Sequence, residues 1–164
     1  FFIFLIIFPD ADKAEKTKAA KLKSAEAALE NAKASGDAQL VSKAQAAYDK
    51  AALEYEIALE NRKVFHSEKN ISSAKSLAEA KINGYHGKLG KIAALNKSAA
   101  AARAGGNTAK AEKLEAQVSR IEAGLEKSRS DALEAVTSRD EIVPAEEAVL
   151  AEVKEARAKR AAAA

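Results

Sequence analysis

Residues 41–65 read VSKAQAAYDKAALEYEIALENRKVF. Within this stretch Val41, Ala44, Tyr48, Ala51, Tyr55, Ala58, Arg62 and Phe65 follow one another at alternating steps of three and four. On an α-helix such spacing lines one face, because a turn takes 3.6 residues. Leu53, Ile57 and Val64 widen the stripe, and a wide stripe suits a bundle or hairpin better than an isolated two-stranded seam. The remaining positions are mostly Ala, Lys, Glu and Asp, which favour a helix or decorate its solvated side. Strand-like alternation is missing from everything after residue 8. The fold class expected is all-α, built from long antiparallel helical hairpins that form an elongated bundle or coiled coil.

Working outward, Ser35-Gly36-Asp37 precedes this helix. Gly closes one helix and Asp caps the next, so residues 11–34 form a first helix that folds back beside the second. Its own face carries Leu22, Ala25, Leu29 and Ala32. On the other side, Ile71, Ala74, Ala78, Ile82, Tyr85, Leu89 and Ile92 extend the apolar face past Asn70, which is either a junction or a turn of continuous helix. Gly84, Gly87 and Gly90 then lie three apart, as a smooth ridge or a kink. No strand precedes them and their spacing fits no phosphate-binding loop. Gly105-Gly106-Asn107 marks a second turn. Leu114, Val118, Ile121, Leu125, Ala132 and Val136 carry the next seam towards Val143. Pro144 interrupts it, and residues 145–160 read as a closing helix with Val149 and Val153 on one side. Two segments follow: residues 1–9, hydrophobic, and residues 10–164, a helical domain with turns near 35–37, 105–107 and 143–144.

About a quarter of the 164 residues are Ala, aromatics are 5%, and Cys, Met and Trp are absent. Alanine buries little area per residue, so a thin lengthwise seam is expected in place of a thick core. Without Cys there are no disulfides or thiolate sites. The 27 basic and 24 acidic residues leave a net charge of +3, with the signs closely mixed. Glu30 and Lys33, and Glu126 and Arg129, are typical neighbours of a solvated helical face. No concentrated basic stripe with interleaved aromatics speaks for nucleic acid.

Phe1, Phe2, Phe4 and Phe8 are four of the five phenylalanines and stand in the apolar run FFIFLIIF, which Pro9-Asp10 ends. Eight residues are too few to cross a bilayer, which takes about 20. The run reads as the end of a transmembrane helix, the remnant of a processed leader, or a plug for a partner groove. Membrane or membrane-protein contact through these phenylalanines is the favoured reading. Membrane association is accordingly the favoured location, with a periplasmic or secreted one as the alternative.

No catalytic, cofactor-binding or metal-ligating residue is assigned. His66 and His86 are the only histidines and lie 20 positions apart without nearby Cys. A zinc site or a general base needs further ligands or an orienting partner, so both read as surface or seam residues. Tyr48, Tyr55 and Tyr85 pack their rings and turn their hydroxyls to water. Arg62 marks either a helix end or an interface where its head is paired. Asn70-Ile71-Ser72 and Asn96-Lys97-Ser98 match the glycosylation triplet, a pattern common by chance in Ser-rich chains.

In its first 35 residues the chain is similar to membrane-anchored helical stalks, such as the peripheral-stalk b subunits of rotary ATP synthases. Both have an apolar N-terminus followed by a charged, Ala-rich helix. The turns at Gly36 and Gly105-Gly106 depart from an unbroken stalk. The function expected is a non-enzymatic structural or assembly subunit, a stalk, spacer or scaffold that meets other protein subunits through helix packing. The alternative is a helical protein-binding adaptor module, for which secretion is one option.

Overall fold

The computed structural model describes residues 11–163. Among them all regular structure is helical: α1 (Ala11–Ser35), α2 (Ala38–Ala104), α3 (Thr108–Ala123) and α4 (Leu125–Ala163). The chain divides into two compact units. One is Phe1–Glu68 with Ala148–Ala164, whose described residues supply α1, the first part of α2 and the end of α4. The other is Lys69–Glu147, which holds the rest of α2, α3 and the first part of α4. Each is an all-α bundle of three helical segments.

The ends of the helices follow from local chemistry. Gly36 takes φ +71° after α1, and its N–H donates to the Lys33 carbonyl at 3.2 Å. Asp37 then caps α2, its Oδ1 accepting from the N–H groups of Gln39 (2.8 Å) and Leu40 (3.2 Å). At the end of α2 the Gly106 N–H bonds the Arg103 carbonyl at 3.0 Å, and that of Asn107 bonds the Ala102 carbonyl at 2.8 Å. With Gly106 at φ +75° this is a Schellman closure. Asn107 caps α3 by accepting from the Lys110 N–H at 3.1 Å. An L side chain at φ +75° is strained, so Gly106→Ala is expected to lower stability by about 1 kcal/mol, read as a lower urea midpoint.

Three boundaries differ from the sequence expectation. Asn70 lies within an unbroken α2. The seam drawn from Leu114 to Val136 is interrupted at Gly124, which separates α3 from α4 with φ −101° and ψ 0°. The turn expected at 143–144 is replaced by helix, for α4 runs straight through Pro144. No glycine or capping side chain follows Pro144 to turn the chain. The covered positions continue on both sides of it at steps of three and four, through Arg139, Ile142, Glu146, Val149 and Val153. Pro144 itself is exposed, so the Asp140 carbonyl that loses its helical donor can turn to water.

The cores are shallow. Buried apolar residues are Leu29, Ala58 and Val153 in the first unit, and Ala74, Ala78, Ala99, Ala111, Val118, Ala132 and Ala135 in the second. Helix α2 carries two covered stripes. The one through Ala44, Ala51 and Ala58 lies on the side that meets α1, where Arg62, itself exposed, reaches Asp12. The other starts at buried Glu60 and passes through Val64, Ser67, Ile71, Ala74 and Ala78. Ala58 and Glu60, two residues apart on a helix, point about 160° apart. Of the residues expected to widen the face, Val64 is half-buried but Leu53 and Ile57 are 44% and 38% exposed, and Phe65, on the expected stripe itself, is 41% exposed. Periodicity groups residues by face, and the packing of neighbours decides which face is covered.

The expected membrane location is also corrected. No helix among the described residues is long and apolar enough to cross a membrane. Even α2, with 67 residues, is punctuated by charged side chains every few positions. Phe1, Phe2, Phe4 and Phe8, on which the membrane contact was placed, lie outside the described residues. The described aromatic contacts are between sequence neighbours, Phe65 with His66 (centroids 5.5 Å apart) and Tyr85 with His86 (5.7 Å).

Candidate functional site

Several of the charged side chains form clamps between helices. In the first unit, α1 runs antiparallel to α2. Lys18 Nζ donates to Glu54 Oε2 at 2.6 Å, and between one and two turns earlier Asp12 meets Arg62 and His66. Arg62 Nε donates to Asp12 Oδ1 at 2.5 Å, and His66 Nε2 lies 3.0 Å from the same oxygen. Arg62 therefore stands in the apolar stripe with its head paired across the helix interface. The hydrogen bonds from His66 and from Arg62, in that order, hold the Asp12 carboxyl at about 2, below its ordinary 3.8.

The same unit contains the most enclosed charge. Glu60 is only 6% exposed. Arg160 grips it with two bonds, Nη1 to Oε1 at 2.9 Å and Nη2 to Oε2 at 2.6 Å, while Arg157 adds Nε to Oε2 at 3.3 Å. Arg157 Nη2 also donates to Asn61 Oδ1 at 2.8 Å. Such bidentate, charge-assisted bonding compensates the desolvation of a carboxylate and pins the register of two helices. The Arg160 hydrogen bonds are the main reason the Glu60 carboxyl lies below its ordinary value.

In the second unit the polar pairs also cross between α2 and the chain that returns beside it. Arg103 makes a bidentate pair with Glu115, both bonds 2.8 Å. Lys88 Nζ donates to Ser128 Oγ, Lys81 lies 3.9 Å from Asp131, and Asn70 Nδ2 donates to Glu146 Oε1 at 2.7 Å. The residue numbers in these pairs fall on one side as they rise on the other, the mark of antiparallel packing. Ser128 and Glu146 occupy covered positions of the α4 seam, where a polar residue specifies register at a cost in stability. No buried side-chain nitrogen or oxygen among the described residues lacks a partner.

His66 belongs to the Asp12 clamp. His86 is exposed on α2 beside Tyr85 in the other unit, so the two imidazoles do not share a site. Tyr48, Tyr55 and Tyr85 are half-buried. Open depressions lie along α1 beside Lys13, Lys16, Thr17 and Lys21, and between Asn31 and Ser35 of α1 and Leu40 and Lys43 of α2. No group of three or more His, Cys, Asp or Glu suited to a metal ion occurs among the described residues.

The residues that sequence reasoning missed are Glu60 and Ser67, buried within the second stripe of α2. The signal was present. Glu60, Val64, Ser67, Ile71, Ala74 and Ala78 keep steps of four and three, but a glutamate at the head of the series hides the pattern from an apolar count.

The Asp12 clamp has a pH signature. A carboxyl whose folded value is depressed contributes stability that is complete above its unfolded value and lost as pH falls through the folded one. The difference in melting temperature between the parent chain and Asp12→Asn is therefore expected to be full above about pH 4, to shrink as pH falls towards about 2, and to vanish below it. Melting curves of both proteins, followed by circular dichroism from about pH 1.5 to about pH 7, check this.

No protein family, curated protein or solved structure matches the chain.

Proposed function

We propose that the protein is a non-enzymatic structural subunit, a helical spacer or scaffold that packs against other protein subunits in a larger assembly. The observation that carries this reading is a set of ion pairs that tie helix to helix. Asp12, Glu54, Glu60, Arg62, Arg103, Glu115 and Arg160 all hold one helix to another. Their pairing fixes helix register and leaves the faces outside the seam to present side chains to partners.

Finer detail belongs to the same proposal. From Ala111 to Arg160 the covered positions of α3 and α4 recur at alternating steps of three and four, an average period of about 3.5. That period supports coiled-coil packing of long antiparallel hairpins. The large apolar residues left exposed in α2, Leu40, Leu53, Ile57, Phe65, Leu77 and Leu89, support packing against further helices.

The test is the size of the particle that contains the chain in extracts of its source cells. The parent protein is expected to elute well above a monomer, and Leu53→Glu/Ile57→Glu to elute as a monomer with unchanged helical circular dichroism. Parent and variant both eluting as monomers would overturn the proposal.

A further inference from the structure

From the way glycine and buried side chains are distributed in the Lys69–Glu147 unit, we infer that this unit has a built-in hinge, where both of its antiparallel segments are weakened at the same level. On α2 the level is set by Gly84, Gly87 and Gly90. On the returning chain it is set by Gly124, where α3 gives way to α4.

Lys88 establishes that the two places face one another. It stands between Gly87 and Gly90 in sequence, its Nζ donates to Ser128 Oγ, and the same nitrogen lies 3.9 Å from where a Cβ on Gly124 would stand. The backbone is weak on both sides of this strut. Glycine has more unfolded freedom to lose than alanine and propagates a helix poorly. At Gly124 the N–H bonds the Ile121 carbonyl at 3.1 Å, three residues back, so the regular ladder is replaced by a tighter one. Glycines and such ladder changes are recognised causes of helix bending.

At the same level the seam is only half-covered, by Ile82, Tyr85, Ile92 and Leu95 on α2 and by Ile121 and Leu125 on the returning chain. On α2 no residue between Ala78 and Ala99 is buried, and on the returning chain none between Val118 and Ala132. Buried residues resume on either side, with Ala99, Ala111 and Val118 towards the Gly105-Gly106 turn and Ala74, Ala78, Ala132 and Ala135 away from it. Close approach does not explain the three α2 glycines. A Cβ at Gly84, Gly87 or Gly90 would meet nothing within 4 Å. They cost helix stability without gaining contact, which suits a segment that must flex. The part of the unit nearest the turn then moves against the rest, with Lys88 bridging the bend.

Amide hydrogen exchange on the full chain tests this. Peptides from 84–90 and 121–126 are expected to exchange roughly tenfold faster than those from 72–78 and 132–138. Gly84→Ala/Gly87→Ala/Gly90→Ala, at roughly fivefold per glycine, is expected to slow exchange at 84–90 by about 100-fold. Because the two segments open together, it is also expected to slow 121–126, on the unmutated helix, by roughly threefold or more. Ser72→Ala/Ser73→Ala/Ser76→Ala, which improves the helix away from this level, is expected to leave 121–126 unchanged. Uniform exchange in the parent protein, glycine variants that leave 121–126 unaffected, or serine variants that slow it equally would each overturn the hinge.

Discussion

Replacing Pro144 by alanine is expected to stabilise the protein by about 2–3 kcal/mol, measured as an increase in the free energy of urea unfolding followed by circular dichroism. Proline inside a helix has no N–H to give to the carbonyl four residues back, and its ring crowds that carbonyl. Alanine restores the donor and removes the crowding. The position is exposed, so the smaller side chain opens no cavity. On either side Ile142, Val143, Glu146 and Val149 are already half-covered along the helix, so the substituted residue would adopt the backbone already present. A loss of stability on this substitution would mean that the covered seam depends on a bend at residue 144.

The opposite sign, and an effect of at least similar size, is expected for Ala78→Asp. Ala78 is 0% exposed and follows buried Ala74 on the covered stripe of α2. Lys75 and Lys81, three positions to either side, are exposed and Lys81 already lies 3.9 Å from Asp131, so an aspartate buried at 78 is poorly paired, and burial of such a carboxylate lowers stability by about 3 kcal/mol or more. Burial also raises the value of the new carboxyl above that of an unfolded chain. An acid with a raised folded value carries its full penalty at high pH and sheds it as the group is protonated. The loss is therefore expected to be larger at about pH 7 than at about pH 4. Ala80→Asp, two residues on and exposed, is expected to change stability by less than about 0.5 kcal/mol. Equal effects at the two positions would place the seam elsewhere on α2.

These two substitutions separate what neighbouring residues dictate from what packing decides. The step of three and four between Val41 and Arg62 identified a helical face, and α2 does turn such a face towards α1. Phe65 continued the same count but is 41% exposed, because α1 is met at Arg62 and His66 and not at the intervening position. Pro144 taken by itself predicts a break, because its local cost in a helix is large. What outweighs that cost is the run of covered positions on both sides of it, an effect summed over many residues and invisible at any one. Gly124, by contrast, was passed over within a seam that counts correctly through it, since Ile121 and Leu125 keep their step of four.

The clamps show the same division. Arg62 was legible as an interruption, either a helix end or an interface with a paired head, and nothing along the chain identified Asp12, 50 positions away, as the partner. Glu60 was one of 24 acidic residues until packing buried it beneath Arg157 and Arg160, about 100 positions further on.

By itself the sequence determined that the chain is helical, where Gly36 and Gly105-Gly106 turn it, and which residues share a helical face. Those properties arise from backbone freedom, capping and a 3.6-residue period, all of which act over a few neighbouring positions. Only the tertiary structure decided which faces are covered, which charges are paired, and that α4 passes through Pro144. Each of these depends on contacts between residues far apart in the chain, where the gain from packing a second helix outweighs or redirects the local preference.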